Sequence, residues 1–237
     1  MKRKLKDVTL IGIDCVDLDR LALAIDICQQ DFEFAEVRML TSLPAKGQRN
    51  VVQIKAINSL EDYSRFIITE LDDYLETTYV LLVQHDGFIL NPAAWTDDFL
   101  NYDYIGAPWL VVDWSVEDFG FPPDLLGKWV VVNGGFSLRS KKFTSTCARL
   151  AKDGVFKEYH PEDVVLCVKN RKILEDHRIK FAPVELAKQF SFEGQDKDNY
   201  QWDGQFGFHG LNWTDISKWS KAHPEYKIKN PAALGKI

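Results

Sequence analysis

Gln84, His85 and Asp86 close a run of apolar residues, Tyr79–Val83, and nothing like them occurs along that run. In an open parallel sheet, ligands gather outside the carboxyl ends of the strands. One carboxylate there suits a divalent cation shared with phosphate oxygens and water. The same stretch contains Asp-Gly, a strong hairpin dipeptide, with residues 80–83 and 88–90 as its arms. Neither arm alternates polar and apolar residues as a half-exposed hairpin does, and both readings stand at this point. Three more stretches carry chemistry of the same kind. Asn133, Gly134 and Gly135 fall inside a predicted strand, where paired glycines mark a bulge or the close approach of a backbone or ligand. Glu162 and Asp163 open a predicted helix. Acidic residues are ordinary at the positive end of a helix dipole, and two adjacent carboxylates also offer a general base for a hydroxyl nucleophile. His209, flanked by Gly207 and Gly210, reads as a structural histidine or as one brought to an ion.

Periodicity supplies the framework around these residues. Residues 8–14 form a short β-branched strand. A helical pattern then runs through Leu18, Leu21, Ala22, Ile25 and Cys28. Strands are predicted at 35–40 and 50–55. A helix over 59–75 starts at Ser59 as N-cap, with Asp62 three residues on as an acidic capping box, and Tyr79–Val83 is the next strand. This order gives an α/β fold: a mostly parallel central sheet with helices on both faces. The second half is less regular. A short strand lies at 102–108, and 109–128 reads as a long loop rich in Trp, Phe, Pro, Gly and Asp, of the kind that is usually functional or mobile. A strand at 129–140 and a helix at 161–177 with Pro161 in first position come next. A strand at 179–183 and a strand or turn leading into a short terminal helix complete the order.

At 237 residues, 46% hydrophobic and 13% aromatic, the chain reads as one folded domain. Its nucleotide-binding half spans about 8–90, its acceptor or catalytic half about 100–213, and a C-terminal helix about 214–237. A net charge of −6 argues against broad nucleic-acid binding. Cys15, Cys28, Cys147 and Cys167 are widely spaced without a CxxC pair, which implies reduced thiols. No apolar stretch approaches a membrane span or a signal-peptide core, so a cytoplasmic protein is expected. The basic start KRKLK leaves peripheral contact with an anionic membrane open.

The ordered blocks QHDGF (84–88), NGGFSLRS (133–140) and HPED (160–163) resemble those of nucleotide-sugar glycosyltransferases of the GT-A fold. They are most similar to a bacterial and viral family of glycosyltransferase-like proteins sharing QxDGF, NGGFSLRS and HPED in this order. The resemblance runs from Val8 to about Trp213. It implies a GT-A-like, Rossmann-like domain that moves a sugar from a nucleoside-diphosphate sugar to a glycan or other hydroxyl acceptor, with inversion. A manganese or magnesium ion is implied between Asp86 and His209. Tyr63 and Arg65 match a Tyr-x-Arg helix facing the nucleotide. Asp14 matches the position that holds base or ribose, and residues 133–135 would line the donor-sugar pocket. Asp163, or else Glu162, would be the base. Gln84 stands where the metal motif ordinarily begins with a second aspartate. That departure sustains an alternative, a non-catalytic nucleotide- or sugar-binding module. A nucleotidyltransferase is the other alternative, disfavoured because no glycine-rich basic loop follows the first strand.

Overall fold

The computed structural model describes residues 2–194 and 200–234. Residues 195–199 of the expected catalytic half and 235–237 of the expected terminal helix lie outside the described residues. The first half alternates strand and helix: β1 (Arg3–Ile13), α1 (Leu18–Cys28), β2 (Phe32–Thr41), β3 (Val51–Gln53), α2 (Leu60–Thr69) and β4 (Tyr79–Val83). Ser59 caps α2 as the sequence suggests, its hydroxyl accepting the Asp62 N–H at 3.0 Å, while the Asp62 carboxylate accepts the Asn58 N–H. The helix ends at Thr69, short of the predicted residue 75, and a tight turn at Leu71–Tyr74 replaces its last part.

In the second half come β5 (Tyr104–Gly106), β6 (Pro108–Leu110), α3 (Asp113–Glu117), β7 (Trp129–Val131), β8 (Phe136–Ser140) and α4 (Lys141–Lys152). After them the chain forms α5 (Glu162–Val164), α6 (Arg171–Asp176), α7 (Val184–Phe190), β9 (Ser191–Phe192), β10 (Gly207–Phe208) and α8 (Ser217–Ala222).

Six strands form one sheet in the order β3-β2-β1-β4-β8-β5. β1 to β4 run parallel, and β8 is antiparallel to both neighbours. Strands from both halves of the chain therefore share a single sheet. Side chains alternate across it. Leu10, Leu81 and Val83 pack with Leu21 and Ile25 of α1, whereas Ile11, Ile13, Val80 and Leu82 pack with Phe66 and Ile67 of α2. Both faces are thus covered, which is why β4 is apolar along its whole length.

The reversed β8 shapes the carboxyl rim of the sheet. Because it runs against β4, with Val83 opposite Phe136, its first residues meet the last residues of β4 there. The stretch 129–140 is consequently two strands rather than one: β7 pairs with β6 in a separate ribbon. Between the two, the N–H of Asn133 goes to Ala107 O and that of Gly134 to the Asp163 carboxylate. The stretch 109–128 is not an open loop but holds part of β6, the short helix α3 and an aromatic cluster of Trp109, Trp114, Phe119 and Phe121. The helix expected at 161–177 is broken. Pro161 precedes α5 in extended backbone, a π-turn follows at Val165–Lys169, and α6 restarts after Asn170. Asn170 causes the break, placing both its N–H and its side-chain amide on Val165 O at 3.0 and 2.9 Å. Residues 179–183 reduce to one bridge, Phe181 beside Tyr104. No helix among the described residues is long and apolar enough to cross a membrane.

Candidate active site

The Asp-Gly dipeptide does turn, with Gly87 N–H on Gln84 O at 3.1 Å. The chain beyond it does not return along β4; Ile89 bridges to Gly207 instead. The Gly210 N–H binds Asp86 O at 2.9 Å, which ties the turn to the neighbourhood of His209 across more than a hundred residues. The side chain of Asp86 is only 14% exposed and its Oδ1 lies 3.4 Å from His209 Nε2. Gln84 Oε1 is 3.0 Å from the same nitrogen, and the Gln84 amide donates to Tyr63 OH at 3.0 Å. Asp86, Gln84 and His209 therefore converge.

His209 arrives by strand pairing. β9 and β10 are parallel, with Phe192 beside Phe208, so the next residue of each strand, Glu193 and His209, stand together. His209 Nδ1 donates to Glu193 Oε1 at 2.8 Å. The Glu193 carboxylate also accepts from Asn133 Nδ2 at 2.7 Å, from Trp213 Nε1 at 2.9 Å and from the indole N–H of Trp109. Sequence reasoning missed both Glu193 and Trp213.

The two glycines explain the close packing. A Cβ on Gly134 would fall 2.3 Å from Glu162 Oε1, and one on Gly135 would fall 2.1 Å from His209 Nε2. Any side chain there would expel the groups that make the site. Gly134 N–H donates to Asp163 Oδ2 at 3.0 Å, and Asp163 Oδ1 accepts the Val164 N–H at 2.8 Å. Glu162 pairs with Arg139 at 3.0 Å, both partners being buried. The same guanidinium holds Gly134 O at 3.3 Å.

Two cavities open at this rim. The larger, about 480 Å³, takes in Gln84, Asn133, Gly135, Glu162, Asp163, Glu193 and His209 together with an aromatic wall. The smaller, about 350 Å³, lies over the ends of β1 and β4 and is lined by Asp14, Cys15, Arg20, Asn58 and His85. Leu60, Tyr63 and Gln84 border both. Asp14 accepts the N–H groups of Val16 and Asp17 at 2.8 and 2.9 Å and the Arg20 guanidinium at 2.6 Å. Arg65 is not brought to either cavity. Its guanidinium lies 4.0 Å from the ring of Tyr159 and reaches Glu61 at 3.7 Å. Two residues apart on a helix are about 200° apart around it, so Tyr63 and Arg65 cannot both face the rim. Arg20 is the cation found there.

Electrostatics separates the acids. Burial pushes the Asp163 carboxyl up to about 7, reinforced by the charges of Glu162 and Glu193 and offset by its two backbone bonds. Burial also raises Asp86, but the charges of His209 and His85 outweigh it and leave that carboxyl at about 2. Burial lowers His209, yet Asp86 and Glu193 prevail and hold it well above the usual histidine range.

The donors suit a divalent cation. Asp86 Oδ1 is buried with no hydrogen-bond partner, and His209 Nε2 lies 3.4 Å from it and 3.0 Å from Gln84 Oε1. A carboxylate backing His209 on its far nitrogen is the usual support of a metal-binding imidazole. Among the described residues no group of three or more His, Cys, Asp or Glu encloses a metal by itself.

A family model described as protein of unknown function (DUF5672) matches residues 47–209. No curated protein matches the chain. Among solved structures, the chain is similar to the galactosyltransferase LgtC in complex with donor and acceptor sugar analogs, at 14% identity and a TM-score of 0.48, covering 97% of this chain and 100% of that one. It is similar to the apo-form glycosyltransferase GlyE of Streptococcus pneumoniae TIGR4, at 12% and 0.49, where it spans 62% of the longer chain. A glycosyltransferase involved in glycosylation of the major capsid of PBCV-1 matches at 12% and 0.42 over 92% of this chain.

Proposed function

The chain belongs to the DUF5672 family, and from that premise we propose that it is a glycosyltransferase acting on a nucleoside-diphosphate sugar. The observation that carries this reading is the buried Asp86 Oδ1, which has no hydrogen-bond partner and lies 3.4 Å from Nε2 of His209, a residue that lines the larger cavity beside Gln84. The smaller cavity takes the nucleoside, and the larger takes the transferred sugar and the acceptor. Asp86 and His209, with the Gln84 amide, are the residues that would hold manganese or magnesium. A bound cation supplies Lewis-acid stabilisation of the leaving diphosphate. Charge supports its need. Among the described residues lining the two cavities, Arg20 is the only Lys or Arg, and it is already paired with Asp14. A diphosphate near Asp14, Asp163 and Glu193 needs more positive charge than Arg20 and His209 supply.

Asp163 is the better base. Glu162 is neutralised by a buried guanidinium, whereas Asp163 is poised near neutrality, where a general base is most effective. Asp163 takes the proton of an acceptor hydroxyl. The oxygen bonds to the anomeric carbon as that carbon's bond to the diphosphate oxygen breaks, and the configuration inverts. Tyr63 and residues 133–135 border the reacting groups.

Incubation with a panel of uridine, guanosine, cytidine and thymidine nucleotide sugars plus manganese tests the reading. Donors of one nucleobase are expected to release their nucleoside diphosphate slowly in water, and chelation to stop it. No release from any donor would refute the assignment.

A further inference from the structure

The carboxylates account for one side of the larger cavity. Much of the remainder is aromatic: Trp109, Trp114, Phe119 and Trp213 line it, with Leu60 at the rim. Trp114, Trp213 and Leu60 are 36%, 38% and 71% exposed, so broad apolar surfaces face water at the mouth of a polar site. The rings are fixed. The N–H groups of Trp109 and Trp213 are both taken by Glu193, so these indoles have only apolar surface left to offer. Trp213 lies against Gly210, where a Cβ would come within 2.1 Å of its Nε1. Trp114 is wedged edge-on against Trp109 and Phe119, with ring centroids 6.2 and 5.7 Å apart.

Resting on the glycosyltransferase reading, we propose that this wall is an acceptor subsite and that the acceptor is a carbohydrate, a pyranose ring lying on the faces of Trp114 and Trp213. A pyranose has an apolar C–H face and hydroxyls around its edge. It needs an aromatic platform and hydrogen-bonding carboxylates within one cavity, and this cavity interleaves the two. A phosphorylated lipid acceptor fits poorly. Glu162, Asp163 and Glu193 all border the space, and no Lys or Arg lines it among the described residues. Preset aromatic faces also bind at low entropic cost, because the rings lose little freedom on contact.

Saturation-transfer NMR and tryptophan fluorescence with cellobiose, lactose, maltose and chitobiose, without donor, test this. Uridine and guanosine diphosphates with manganese are titrated in parallel. At least one disaccharide should receive saturation at its ring C–H protons. Trp114→Ala should weaken that binding about tenfold, and Trp114→Phe should retain most of it. Nucleoside diphosphate affinity should be unchanged in both variants, and circular dichroism establishes that they fold. The proposal is overturned if no disaccharide engages, if Trp114→Ala binds as well as wild type, or if that variant instead loses nucleotide, which would assign the wall to the base. Nucleotide binding without any saccharide response strikes this inference alone. Saccharide binding without nucleotide binding strikes the donor reading and leaves the subsite standing.

Discussion

The two cavities share Tyr63, Leu60 and Gln84, yet they are built in opposite ways. The smaller rests on the ends of two neighbouring parallel strands. The hydrogen bonds to the carboxylate of Asp14, its acid, come from groups within six residues of it, and His85 at the end of β4 faces it at 3.9 Å. The larger is assembled from distant pieces. Asn133 reaches Glu193, Gly134 reaches Asp163, and His209 reaches Gln84 across 125 positions. Local construction should make the proposed nucleotide shelf robust to damage elsewhere. Long-range construction with buried charge makes an end in which stability and chemistry are entangled.

Glu162→Ala probes this contrast with the largest expected effect. It leaves Arg139, 1% exposed, without its partner, and loss of one member of a buried pair costs about 3–5 kcal/mol. Denaturant unfolding should show that loss; a cost below about 1 kcal/mol would mean the pair does not support the larger cavity. Asp163→Asn should lower turnover by about 100-fold or more while nucleoside diphosphate binding persists. Wild-type turnover should rise with pH through about 7, and the variant should lack that limb. Stability moves the other way. The folded carboxyl titrates above its ordinary 3.8, so the contribution is full at low pH and is lost as pH rises through about 7. Relative to Asp163→Asn, the wild type should therefore destabilise between pH 5 and pH 8; a constant difference would contradict a raised Asp163.

Glu193→Gln removes the carboxylate behind His209, and manganese affinity measured by electron paramagnetic resonance should fall about 10- to 100-fold. Unchanged affinity would leave Glu193 a purely structural hub. The smallest effect belongs to Arg65→Ala. The side chain is 52% exposed and outside both cavities, so stability should shift by no more than about 0.5 kcal/mol and nucleotide affinity should hold. A tenfold loss of affinity would put Arg65 back at the nucleotide.

Legibility in the sequence divides along the same line. β4 and its polar tip stand out because a strand buried on both faces is uniformly apolar, and any polar residue at its end is conspicuous. Ser59 is legible because capping is local. The glycines at 134 and 135 signal close approach, but whether to a ligand or to another part of the protein needs coordinates; the approach is made by Glu162 and His209 themselves. Glu193 carries no signal. Its role arises from the pairing of two strands of two residues each, Ser191–Phe192 and Gly207–Phe208, and such short elements have no period to detect. Residues 109–128 mislead for a related reason: the cluster formed by Trp109, Trp114 and Phe119 packs by shape rather than by repeat. Arg65 is a different failure, since helix geometry alone separates it from Tyr63.

Isothermal titration of nucleoside diphosphates with and without manganese, in wild type and Asp86→Asn, is the most direct test of a cation held against the diphosphate by Asp86 and His209. The account predicts that the wild type binds one nucleoside diphosphate only when manganese is present, and that Asp86→Asn loses this binding while melting at nearly the same temperature. Undiminished manganese-dependent binding by the variant would contradict it.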